Sequence, residues 1–187
     1  MNLNIEFIII CLSTIFFMLP AYLSNISGLA FGGTNPLDYE KNFLDNNRLI
    51  GDGVTIEGLV HGIIVGTITG AILGLFFPNF LELYSYSFVP IAYTNIFNGI
   101  LAGFLLGFGA LLGDAAGSFL KRRLKIERGR PAPLLDQLDF VVGALFLGSI
   151  LFSFSVEFIL LTCIISIILH LSANIIAYLI GMKDVWY

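Results

Sequence analysis

Long apolar runs, broken by two polar stretches, set the pattern of this chain. A bilayer core about 30 Å thick is crossed by roughly 20 mostly apolar helical residues. Five runs approach or reach that length, near residues 5–23, 58–77, 97–118, 140–155 and 157–181. The fourth is short, and Ser153 to Glu157 reads as a tight turn into the fifth. Residues 78–96, with two prolines and Tyr84, Tyr86 and Tyr93, suit an interfacial loop. The pattern predicts an all-α integral membrane protein, one domain over residues 1–187, with polar loops at 24–57 and 119–139. The first run lacks a basic leader, its first charge being Glu6, and exceeds a signal-peptide core in length, so it reads as a retained span.

Composition agrees: 57% of the 187 residues are hydrophobic and 12% charged, far from the roughly 25% charged of soluble domains. Gly58, Gly62, Gly66, Gly70 and Gly74 recur every four residues, as do Gly99, Gly103 and Gly107. Such spacing lines one helix face and predicts close helix–helix contact rather than catalysis. Cys11 and Cys163 lie in apolar runs without metal-ligand spacing, and His61 and His170 stand apart from each other.

Charge changes the picture further. Five spans place loop 24–57, loop 119–139 and the C-terminal tail on one side. That side then carries all nine Lys and Arg residues: Lys41, Arg48, Lys121, Arg122, Arg123, Lys125, Arg128, Arg130 and Lys183. The positive-inside rule makes it cytoplasmic, with the N-terminus outside. A localised basic patch on a membrane-embedded body fits phosphates or anionic headgroups, and a uniform nucleic-acid footprint is absent.

The densest polar stretch is GDAAGSFLKRRLKIERGRPAPLLDQLDF, residues 113–140. Asp114 stands near the cytoplasmic end of the third span, where charge is costly. Ser118 follows one turn on, and Lys121, Arg122 and Lys125 read as a continuation of that helix. Asp136 and Asp139, three apart, share a helix side at the start of the fourth span. Adjacent carboxylates repel unless a cation intervenes, and magnesium takes carboxylate oxygens while keeping waters and phosphates as its other ligands. Three carboxylates (Asp114, Asp136 and Asp139), a hydroxyl and several cations suit phosphoryl or nucleotidyl transfer. The same residues also have plainer roles: cations as orientation signals, and Asp136 and Asp139 as partners of a helix dipole. In the first loop, Arg48 and the Gly51-Asp52-Gly53 turn offer a weaker site. No G-x-x-x-x-G-K-[ST] loop is present.

Residues 34–145 resemble the membrane cytidylyltransferases that make CDP-activated lipids. Ser118, Lys121-Arg122, Lys125 and the Asp136/Asp139 pair match their signature. With RGRPAPLL before the pair, and NPLD and GDG in the first loop, the chain is similar to the archaeal CDP-archaeol synthases. This resemblance implies transfer of CMP from CTP to an unsaturated archaetidic acid, an isoprenoid ether lipid phosphate, releasing pyrophosphate with Mg²⁺ as cofactor. It implies a multi-pass plasma-membrane enzyme with its site on the cytoplasmic face. It assigns metal binding to Asp114, Asp136 and Asp139, catalysis to these and Lys121, and nucleotide or phosphate contact to Asn35, Asp38, Arg48, Asp52, Ser118, Arg122 and Lys125. GDGVTIEG departs from the family's GDGKTWRG-like run at Val54, Ile56 and Glu57. The lipid chains are expected in a groove between helices, with the two glycine-rich spans as candidates. CDP-diacylglycerol synthesis and a non-enzymatic lipid-binding or transport protein are the alternatives. A CDP-alcohol phosphotransferase is disfavoured because D-G-x-x-A-R is missing. A homodimer is left open.

Overall fold

The computed structural model describes residues 3–80, 88–127 and 129–181. Tyr84 and Tyr86 of the expected interfacial loop, Arg128 and Lys183 lie outside the described residues. Among the described residues there are five α-helices: α1 (Leu3–Ala30), α2 (Ile56–Phe76), α3 (Ile96–Arg123), α4 (Leu135–Gly148) and α5 (Val156–Leu179). Among the described residues there are no strands beyond two isolated bridges, Pro36 with Thr55 and Asn42 with Arg48. Among the described residues, four helices are long and apolar enough to cross a membrane. The expected fourth span differs: α4 covers 135–148 rather than 140–155, and its 14 residues rise only about 21 Å. The chain then reverses, and the Ser155 side chain caps α5 by accepting from Phe158 N at 3.2 Å.

Helix α3 is the axle of the bundle because it has two glycine faces. Gly99 and Gly103 meet α2, where a Cβ on Gly103 would stand 2.8 Å from the Gly70 Cα. Two residues after Gly107, about 200° around the helix, Gly109 begins a second stripe with Gly113 and Gly117. This stripe meets α4 at Gly143, Phe140 and Asp139. Helix α1 joins through Ser24, whose hydroxyl donates to the Gly62 carbonyl at 2.8 Å. Ser24 also fills the space that side chains on Gly66 and Gly107 would need.

Tyr93 is not interfacial as expected; it is buried at 1% exposure. Its hydroxyl donates to the Phe17 carbonyl at 2.7 Å, and its ring packs on Phe17 and Phe77. Phe152, Phe154 and Phe158 surround Phe17 from the other side. Phe17 meets Phe158, and Tyr22 bonds Ser166, so α1 and α5 run parallel.

The expected continuation of α3 through Lys125 is also corrected. The helix ends at Arg123, and Lys125 adopts φ 56°, a left-handed conformation. Lys125 N donates to Arg122 O at 3.2 Å and Ile126 N to Lys121 O at 2.9 Å, the paired bonds of a Schellman ending. Glycine is the usual residue at that point. Lys125→Gly is therefore expected to stabilise the protein by about 1 kcal/mol, read as a rise in melting temperature.

Candidate nucleotidyl-transfer site

The C-terminus of α1, the N-terminus of α2, the C-terminus of α3 and the N-terminus of α4 gather at one end of the bundle. The two polar loops meet there. The residue that joins them, Arg123, was not singled out from the sequence. Its Nε and Nη2 donate to the two Asp45 oxygens at 3.1 and 3.2 Å, and Nη1 donates to the carbonyls of Leu49, Arg48 and Phe119 at 3.0, 3.1 and 3.2 Å. The guanidinium lies 4.2 Å from the Phe119 ring centre and 4.8 Å from that of Phe43. A planar fork that holds a carboxylate and three carbonyls beside two rings cannot be replaced by an ammonium. Arg123→Ala and Arg123→Lys are both expected to release the first loop, losing about 2–4 kcal/mol for the alanine variant. Protease cleavage within 38–52 is the measurement; an uncut loop in both variants contradicts this role.

The first loop is organised around Asp38, whose side chain is fully buried. Its oxygens accept from Arg48 Nη2 at 2.8 Å and Nε at 3.3 Å, and from the backbone of Ile50, Gly51 and Glu40 at 2.9, 2.9 and 3.1 Å. Burial disfavours its charge, but the guanidinium and these N–H groups outweigh that and hold the carboxyl well below the usual carboxylate range. Arg48 also pairs with Asp52 at 2.8 Å. Asn35 bonds Glu57 at the start of α2, and Val54 is buried at 8% exposure. Asp38, Arg48 and Asp52 thus shape one another, while Asn35 is held by Glu57.

The second group sits where α3 packs on α4. Lys121 Nζ donates to Asp136 Oδ1 at 2.9 Å, while Asp136 Oδ2 accepts from Ala132 N at 2.8 Å. Asp139 Oδ1 accepts from Phe140 N at 2.7 Å, and its side chain lies over Gly117. Asp114 and Asp139 are within range of each other's charge and of Lys121 and Asp136. Among the described residues no three acidic, His or Cys side chains converge into a preformed metal cage. One carboxylate is occupied by Lys121, so the donor set is oxygen-only and partial, as magnesium accepts when phosphates and water complete its shell. Ser118 is half-buried one turn beyond Asp114. Arg122 Nε and Gln137 Oε1 are buried without any hydrogen-bond partner.

Below this charged group, α3 and α4 leave an apolar groove of about 650 Å³, lined by Leu112, Leu120, Leu138, Val142 and Phe146, with Asp139 in its wall. The groove is not between the two glycine-rich spans. Where glycines face each other across α2 and α3, backbone fills the space that a ligand would need.

A family model described as CarS-like CDP-archaeol synthase matches residues 6–187. The chain is 55% identical over 187 residues to the CDP-archaeol synthase of Methanothermobacter thermautotrophicus, covering 100% of both chains. The chain belongs to the CDP-archaeol synthase family. Another member, from Methanocaldococcus jannaschii, is 46% identical over 94% of this chain and 96% of its own. The fold is similar to that of a solved structure reported as structural insight into an intramembrane enzyme for archaeal membrane lipids biosynthesis. That structure aligns with a TM-score of 0.72 at 40% identity, covering 86% of this chain and 92% of the other. Of the residues matched above to the cytidylyltransferase pattern, Ser118, Lys121, Arg122, Asp136 and Asp139 lie on α3 and α4, and Lys125 lies just past the end of α3.

Proposed function

We propose that this protein transfers CMP from CTP to the phosphate of an unsaturated archaetidic acid, forming CDP-archaeol and pyrophosphate in membrane phospholipid synthesis. It works at the cytoplasmic face of the plasma membrane and requires Mg²⁺. The observation that carries this reading is the position of Asp139, in the wall of an apolar groove and within charge range of Asp114, Lys121 and Asp136. A lipid lying in the groove brings its phosphate to the charged end, where a water-soluble triphosphate can also arrive.

A lipid phosphate monoester is already anionic at neutral pH, so no strong general base is needed. One of its oxygens attacks the α-phosphorus of CTP, the bond from that phosphorus to the β-bridging oxygen breaks, and pyrophosphate leaves with the electron pair. The obstacle is repulsion between two anions. Lys121 and Arg122 lower it, the latter with a buried N–H that has no protein partner. Asp114, Asp136 and Asp139 would hold magnesium, which supplies charge neutralisation on the triphosphate when bound. The test is purified protein in detergent with CTP, lipid phosphate and Mg²⁺. Pyrophosphate and a CDP-lipid, identified by mass spectrometry, are expected only when all three are present. Pyrophosphate release without the lipid overturns the proposal.

A further inference from the structure

Gln137 lies between the two signature aspartates on α4 but points elsewhere. Asp136 is engaged by Lys121 and Asp139 lies over Gly117. One turn on from Gln137 along its own helix face comes Val141, at 0% exposure, followed by Ala144, also at 0%. Gln137 therefore enters the bundle at its charged end rather than the lipid. Its Oε1 is buried and accepts no hydrogen bond. Arg122 Nε, a donor, is buried and unpartnered as well, so the two do not satisfy each other. A buried carbonyl oxygen without a donor costs stability, which is recovered when a ligand brings the donor.

We infer that Gln137 is a specificity residue that accepts a hydrogen bond from the nucleotide. This rests on the reading above. The two substrates differ in what they offer. The ionised lipid phosphate carries acceptors at its reacting end, as does the triphosphate. The donors are on the nucleoside: the 4-amino group of cytosine and the ribose hydroxyls. An acceptor placed beside the metal-binding carboxylates thus reads the nucleoside. UTP, with a carbonyl in place of the 4-amino group, presents oxygen to oxygen at that point. A site built around such a bond rejects an analogue that leaves its polar group unpaired.

The experiment compares the full-length wild type with Gln137→Met, which keeps the length and removes the acceptor, and Gln137→Glu, which keeps the acceptor and removes the donor. Melting temperature is measured with Mg²⁺ alone and with added CTP, UTP, 2′-deoxy-CTP or 3′-deoxy-CTP, and kcat/KM is measured for each nucleotide. Without nucleotide, Gln137→Met should melt at or above the wild-type temperature. Its CTP-induced rise should shrink, KM for CTP should increase at least tenfold, and kcat should change less. If the 4-amino group is the donor, its preference for CTP over UTP falls at least tenfold; if a ribose hydroxyl is, the preference over the matching deoxy nucleotide falls instead. Gln137→Glu should retain whichever preference Gln137→Met loses. Unchanged preferences, with the CTP-induced rise intact, overturn the inference and point to an internal water. A wild type that CTP does not stabilise at all counts against the underlying reading rather than against Gln137 alone.

Discussion

Asp139→Asn should lower CDP-lipid formation by roughly 10²–10³-fold while leaving the protein folded. The substitution changes charge and almost nothing else. An asparagine carbonyl can still accept from Phe140 N, as Asp139 Oδ1 does at 2.7 Å, and the side chain still fits over Gly117. What disappears is the anionic oxygen set beside Asp114 at the head of the groove. The measurements are product formation from labelled CTP and the melting temperature of the same preparation. Full activity in a folded variant would remove Asp139 from the reaction. Asp136→Asn makes an instructive contrast, because it also breaks the 2.9 Å pair with Lys121. That variant is expected to lose both activity and stability.

The second large effect is expected from a residue with no chemistry. A Cβ on Gly113 would lie 2.9 Å from the Asp139 carbonyl carbon and 3.0 Å from the Phe140 Cα. Both atoms are backbone and cannot rotate away. Gly113→Val must therefore push α4 off α3, at a cost of about 3 kcal/mol or more. It must also carry Asp136 and Asp139 away from Asp114 and Lys121, so activity is expected to fall even in the fraction that remains folded. Gly53→Ala is the control, since a Cβ there meets nothing within 4 Å. Thermal unfolding in detergent separates the two; equal melting temperatures would show that the α3–α4 contact does not need its glycines.

The spans were legible because hydropathy reports contact with hydrocarbon. It does not report where a helix stops, and this explains the errors at the boundaries. Helices α1 and α3 continue past the apolar window to Ala30 and Arg123. Helix α4 begins before its window, and Asp136 and Asp139 lie at its start on the helix their spacing predicts. The Asp114, Asp136 and Asp139 group stood out because carboxylates are rare in such a chain. Arg123 did not, because a Lys-Arg-Arg run is uniform in sequence; only the helix direction sends Lys121 to α4 and Arg123 to the first loop. Asp38 came from the family resemblance and not from the loop's own pattern, because the loop N–H groups that fill its oxygens have no side-chain signal. The second glycine stripe was hidden for a similar reason. Gly107 and Gly109 are neighbours in the chain and opposites on the helix.

The groove between α3 and α4 has a kinetic meaning. Apart from Asp139, its walls are apolar, among them Leu112, Leu138, Val142 and Phe146, residues with no means of drawing a solute from water. With the lipid phosphate in this groove, as proposed above, one reactant would be supplied by lateral diffusion in two dimensions and the other from bulk solution. The rate then follows the mole fraction of lipid phosphate in the surrounding bilayer or micelle, not its molarity. Extra detergent dilutes one reactant and leaves the other untouched.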